Sequence, residues 1–466
     1  MSISGHLRAN ETAKQLIVNL YLLFIAPILG AVFIGTLVNP AVGLYYLVLD
    51  SWVAGKITDL GEILPLFSVN KILVVFSTVA LMLHMALGAC NVNLRLLFSR
   101  TALCVYAFLA YLLWSSLYLM GRNEPNLLNN LAFFVLILAI MGYKTLSRLK
   151  WVVAIIIAAS FGMMLSTAGL RLLDVGSLLA DVSKGDRIQP GFHILVAIPF
   201  LIAFMNTTPN SKLKRLTKVL LVAAVFFVFA QLSRTLVASL LILACFYMIR
   251  GHVRAIWVMF LVPVIVSVLA VGMMTDYGQK LLRLPAEKKT QLNEQEMQAF
   301  TSGRSGLYWI AWKMFLKYPL AGNGYDSFRH PKGNTLVVAP VAEALERSAL
   351  HSAWLQVLSE TGIIGAILYF GLYLSAYLDF RKVRRRTQEA SIYFYSEAVL
   401  AGMLLFFLGG IFDNFGFNYR IFFLFMALSS VLASVSVISP ARASYQPMAF
   451  ETETNYHNPL LEGASR

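Results

Sequence analysis

The sequence predicts an all-α polytopic membrane protein of about twelve transmembrane helices, with a large non-cytoplasmic loop carrying amphipathic helices between spans 9 and 10. Three observations predict it. Only 13% of the 466 residues are charged, while 58% are hydrophobic; a soluble domain carries about 25% charged residues. The apolar residues fall in long runs, and about 20 of them in a row cross a bilayer. The charges between the runs alternate in character, as the positive-inside rule requires.

The runs place spans at 16–38, 70–89, 101–120, 127–142, 151–170, 190–206, 216–232, 235–250, 255–274, 361–379, 393–415 and 420–438. The shorter apolar stretch at 41–54, after Asn39-Pro40, reads as re-entrant or interfacial. With the N-terminus in the cytoplasm, the cytoplasmic loops hold Arg95 and Arg100, then Lys144, Arg148 and Lys150, then Lys212, Lys214, Arg215 and Lys218, then Arg250 and Arg254, then Arg381 to Arg386. The opposite loops mix signs. Both termini are therefore expected inside. A thirteenth span at 41–54 would invert this order for every later loop. The chain divides into a bundle of spans 1–9 (1–274), a loop region (275–360), spans 10–12 (361–440) and a polar cytoplasmic tail (441–466) expected to lack fixed structure. The first apolar run has no small-residue cleavage site after it and reads as a first span.

The net charge of +15 belongs to the cytoplasmic loops; with no Lys/Arg run interleaved with aromatics elsewhere, nucleic acid is excluded as a partner. Cys90, Cys104 and Cys245 have no partners at metal spacing and suggest no disulfide. No HExxH, CxxC or Asp-rich motif is present, so neither a catalytic metal nor another cofactor is expected.

The loop region is longer than a plain connection and such loops are commonly functional. In 304–317, Leu307, Ile310, Ala311, Met314 and Phe315 share one helical face; in 341–358, Ala342, Leu345, Ala349, Ala353 and Leu358 form a weaker stripe. Both predict amphipathic helices that rest on the membrane or cap the bundle. Four polar residues stand at the non-cytoplasmic boundary. Arg187 precedes the sixth span; its bland reading is a solvated loop residue beside Asp186. Arg234 sits in FVFAQLSRTLVASLL, between two apolar segments with almost no linker, where a charge is costly and faces a polar pocket or snorkels to the interface. Arg304 opens an amphipathic helix, a natural anion site, or is an ordinary surface residue. His351 opens an apolar helix, and its near-neutral pKa suits general-base work, although a lone histidine is more often structural. Arginine binds phosphate in bidentate fashion. Three arginines and a histidine on one side point to group transfer from a phosphorylated donor, with the leaving group stabilised electrostatically.

The stretch RSGLYWIAWKMFLKYPLAGNGYDSFR, followed by HSAWLQVLSETGIIGAILYFGLY, resembles the signature region of the O-antigen ligase and polymerase superfamily. The shared pattern is an arginine before an aromatic-rich helix, a Pro-Leu-x-Gly-x-Gly turn, and a histidine opening a helix that ends Glu-Thr-Gly. The SRT run at Arg234, the Arg187 loop and the span layout are similar too. The resemblance implies an inverting, metal-independent glycosyltransferase of the bacterial inner membrane, with its active site facing the periplasm. The donor is an undecaprenyl-diphosphate-linked glycan. A ligase moves it to lipid A–core oligosaccharide, a polymerase to another lipid-linked repeat unit, a protein O-glycosyltransferase to a protein hydroxyl. The resemblance makes His351 the base and Arg187, Arg234 and Arg304 the diphosphate holders, with membrane lipid around the prenyl chain. Tyr325, His330 and Glu360 are possible accessory residues, and His330 competes with His351 as base. For Glu343, Glu346 and Glu360, capping roles compete with chemical ones. The compact loop favours the ligase. A transporter or flippase fits the span count, but it predicts internal repeats and polar residues at the bilayer midplane; no repeat is found, and mid-span polar residues are scarce, His84 and Asn206 being the main ones.

Overall fold

The computed structural model describes residues 26–52, 69–89, 93–121, 124–142, 145–172, 188–230, 234–251, 304–328, 350–412 and 420–436. The expected span at 255–274, Arg187, His330, most of the 341–358 stripe and the tail lie outside the described residues.

The described residues form helices and turns, with no strand among them. In chain order the helices are α1 (Ala26–Val38), α2 (Pro40–Trp52), α3 (Val69–Ala86), the short α4 (Leu94–Leu97), α5 (Arg100–Trp114), α6 (Pro125–Met141), α7 (Thr145–Leu172), α8 (Ile188–Thr207), α9 (Ser211–Ala230), α10 (Arg234–Ile249), α11 (Arg304–Lys317), α12 (Ala353–Arg386), α13 (Ala390–Phe412) and α14 (Arg420–Val435). Among the described residues, four helical segments are long and apolar enough to cross a bilayer: Arg100–Leu119, Ser147–Leu165, Ala353–Arg386 and Ala390–Ile411. Shorter apolar helices pack around them. The chain is thus a multi-pass helical membrane protein.

The basic loops gather at one end. Asp379, near the end of α12, accepts from Thr101 Oγ1 at 2.5 Å and pairs with Arg100 at 3.4 Å. Arg250, just past α10, lies 3.6 Å from Glu397 of α13 and 4.8 Å from the Phe380 ring. Thr207, ending α8, lies within 3.4 Å of the Tyr395 hydroxyl. Ser99 and Ser430 join their hydroxyls between the start of α5 and α14. A buried acid that lost its arginine would cost several kcal/mol, so these pairs fix helix register.

The N-terminal segment departs from the sequence reading. Phe33 of α1 packs against Phe76 of α3, and His84, near the end of α3, bonds to the Leu37 carbonyl at 2.8 Å. Contacts advance together along both helices, so α1 and α3 run parallel, both toward the basic end. A span at 16–38 running outward requires the opposite. Between them α2 folds back: a Cβ on Gly43 would press on Thr36 and Ser77. Its other end reaches Arg420, which pairs with Asp50 at 3.7 Å. The stretch taken as interfacial is instead inside the bundle, with Ala41, Leu44, Leu47 and Val48 fully buried.

Candidate functional site

The end opposite the basic loops is organised by a break in α12. Gly362 sits at φ 65°, ψ −164° inside that helix, a conformation open to glycine. A helix interrupted there loses two ladder bonds. The carbonyls of Ser359 and Glu360 lose their donors, and the N–H groups of Ile363 and Ile364 lose their acceptors. The loop after α11 takes the place of the missing partners. Ile363 N–H donates to the Pro319 carbonyl at 2.8 Å and Ile364 N–H to the Leu320 carbonyl at 3.2 Å. Gly324 N–H donates to the Glu360 carbonyl at 2.8 Å and Asn323 N–H to the Ser359 carbonyl at 3.2 Å. Tyr111, on α5, closes the exchange by donating to the Thr361 carbonyl at 2.9 Å, with the Ala321 carbonyl at 3.2 Å. A Cβ on Gly322 would overlap the Glu360 main chain, and one on Gly362 the Leu320 carbonyl. The Pro-Leu-x-Gly-x-Gly turn and the Glu-Thr-Gly end are thus two halves of one backbone joint.

Glu360 seals this joint. Its carboxylate oxygens accept from the N–H of Asp326 at 3.0 Å, the N–H of Phe328 at 3.4 Å and the Gln356 amide at 3.3 Å. It is 0% exposed. Tyr325 joins the same assembly through its N–H, which donates to Ser115 Oγ at 3.0 Å. Ser115 opens a π-helical turn, Ser115–Leu119, that ends α5; such turns recur at functional sites.

His351 stands at the head of α12. Its φ is 53°, the left-handed region uncommon outside glycine. Tyr308 of α11 donates to its carbonyl at 3.2 Å. Leu350 is buried with Ala311, Met314 and Phe328, and Ser352 caps the helix, accepting from Leu355 N–H and donating to the Gly410 carbonyl of α13 at 3.4 Å. Trp354 Nε1–H bonds to the Phe407 carbonyl at 2.9 Å. Neighbours on α11, α12 and α13 thus fix the backbone of His351, and its residue remains partly exposed.

Of the arginines, Arg304 is the first residue of α11, one turn before Tyr308, and Arg234 the first of α10. Since Arg250, past the other end of α10, lies at the basic end, the start of α10 belongs to the His351 end. The structure brings the backbone of Arg234 and Arg304 to the same end as His351. Arg187 immediately precedes α8 in sequence, outside the described residues. Sequence reasoning missed Tyr308 and Tyr111, whose partners are distant main-chain atoms and leave no local pattern, and Gln356, whose one-turn spacing to Glu360 was a local signal. It also missed His193, buried in α8 within reach of α7, where Ser160 Oγ contacts its carbonyl at 3.4 Å. Among the described residues no three His, Cys, Asp or Glu side chains converge as a metal site would need.

A bundle of membrane helices thus holds a partly exposed histidine at the end where two of its helices begin with arginine. Residues 219–370 match the family described as O-Antigen ligase, a match that supports the O-antigen ligase and polymerase superfamily, whose members are glycosyltransferase-like enzymes of O-antigen and glycan processing. The matched segment contains Arg234, Arg304, Tyr325, His330, His351 and Glu360, and Arg187 lies before it. No curated protein matches the chain.

Proposed function

We propose that this protein is an O-antigen ligase of the bacterial inner membrane, working at the periplasmic face. It transfers a glycan from undecaprenyl diphosphate to a sugar hydroxyl of lipid A–core oligosaccharide, inverting the anomeric centre. The observation that carries this reading is the sharing of one bundle end, inside the family-matched segment, by His351 and the first residues of α10 and α11. His351 takes the proton of the acceptor hydroxyl. That oxygen attacks the anomeric carbon from the face opposite the diphosphate. The bond from carbon to phosphate oxygen breaks, and undecaprenyl diphosphate leaves with the electron pair. Arg187, Arg234 and Arg304 hold the charge that builds on it. Two of these arginines begin helices, where free N–H groups and the helix dipole add to the field. Preorganised donors of this kind act on the transition state without the cost of reorienting solvent.

The test is reconstitution of the full-length protein with an undecaprenyl-diphosphate-linked glycan and lipid A–core, without metal or nucleotide. The expected product is the joined lipopolysaccharide. Longer lipid-linked chains in its place would make the protein the polymerase of the same superfamily. No product from folded protein and competent substrates would favour a transporter.

A further inference from the structure

We infer that α11 is a membrane-docked strut, whose outward face seats in the headgroup layer of a bilayer containing anionic phospholipid while its inward face holds His351. The sequence singled out the apolar face Leu307, Ile310, Ala311, Met314 and Phe315. In the structure that face turns inward: Ala311 and Met314 are buried against Leu350 and Phe328, with Leu307 and Ile310 packed beside them. The opposite face is no ordinary polar surface. Trp309 is 62% exposed and Leu320, just past the helix, 67%, with Trp312, Leu316 and Tyr318 also exposed between them. Exposed tryptophans and tyrosines in such a row mark a membrane interface, where one end of the ring is apolar and the other wet.

The level of this face is set by the joint. Pro319 and Leu320 are bonded to Ile363 and Ile364, the first residues of the exposed apolar stripe of α12, which continues through Ile367, Phe370 and Leu374. That stripe belongs to a helix long enough to cross the bilayer, so the outward face of α11 meets the membrane where the stripe begins. Charge chooses the lipid. The stretch 304–321 has no acidic residue. Along one edge of the face, Lys313 Nζ lies 5.3 Å from the Trp309 ring centre and Lys317 Nζ 5.4 Å from that of Tyr318. Ammonium groups beside interfacial rings are placed to meet phosphate. The Tyr308 bond to the His351 carbonyl then ties the height of His351 to the headgroup layer; this last consequence rests on the proposed role of His351, the lipid contact does not.

Full-length protein would be placed in nanodiscs of phosphatidylcholine, alone or with phosphatidylglycerol, with bromine on the acyl chains near the headgroup. The fluorescence lost in Trp309→Phe/Trp312→Phe is the signal of these two residues. That signal should be quenched by the brominated lipid, more strongly with phosphatidylglycerol present, and Lys313→Gln/Lys317→Gln should abolish the difference between the two lipids. Quenching by aqueous acrylamide with none by bromolipid would overturn the docking. Equal quenching in both lipids would overturn the anionic-lipid assignment. No glycan transfer is read, so the result is independent of the proposed reaction.

Discussion

Gly362→Ala is expected to disassemble the joint at the His351 end, with a large fall in the melting temperature of the detergent-solubilised protein. An alanine held at φ 65° costs about 1–3 kcal/mol by itself. The larger effect is steric. Its Cβ would collide with the Leu320 carbonyl and the Gly322 N–H region, and both belong to main chain that cannot rotate away. Either α12 straightens and regains its own ladder, expelling the loop, or the loop shifts and leaves buried carbonyls without donors. An unsatisfied buried polar group costs roughly 1–3 kcal/mol more, and the loss is worst beside lipid, where no water substitutes. Gly371 is the control. It lies in the same helix with open space around it, so alanine there should be neutral or stabilise by up to about 1 kcal/mol. Equal melting temperatures for the two variants would remove the joint as a stabilising element.

His351→Asn is expected to abolish transfer while leaving the fold in place. Loss of a general base costs about 10²–10⁴-fold in rate. Asparagine is chosen over alanine because it tolerates the left-handed backbone, which His351 adopts. His351→Ala should lose activity equally and some stability as well. Radiolabelled glycan transfer measured beside thermal unfolding separates the two effects. Wild-type rates from either variant would send the base role elsewhere, with His330 next in line.

The relation between sequence and structure differs from element to element. Helical periodicity named the inward face of α11 correctly, because Leu307, Ile310, Ala311 and Met314 recur at the spacing that one side of a helix imposes. It gave no sign that Trp309, Trp312 and Leu316 form a second apolar face, since a pattern shows which residues share a side and not what solvent that side meets. The charges of the loops ordered the basic end well. They misread α1 and α2, because a 13-residue helix is short for a bilayer and falls below any length threshold, although its burial makes it a full member of the bundle.

What the sequence determined by itself was the solvent and the side: a helical bundle in lipid, its basic loops at one end, and a signature of arginines, glycines and a histidine toward the other. These are properties of composition and local spacing, which act over a few residues at a time. The tertiary structure alone decided what the signature does. Gly322, Glu360 and Gly362 have partners across the joint 32 to 42 residues away in the chain, and only the folded arrangement shows that backbone hydrogen bonds are exchanged across a broken helix. His351 is likewise held by Tyr308, 43 residues before it, through a main-chain carbonyl that every residue type possesses and that no sequence pattern can therefore mark.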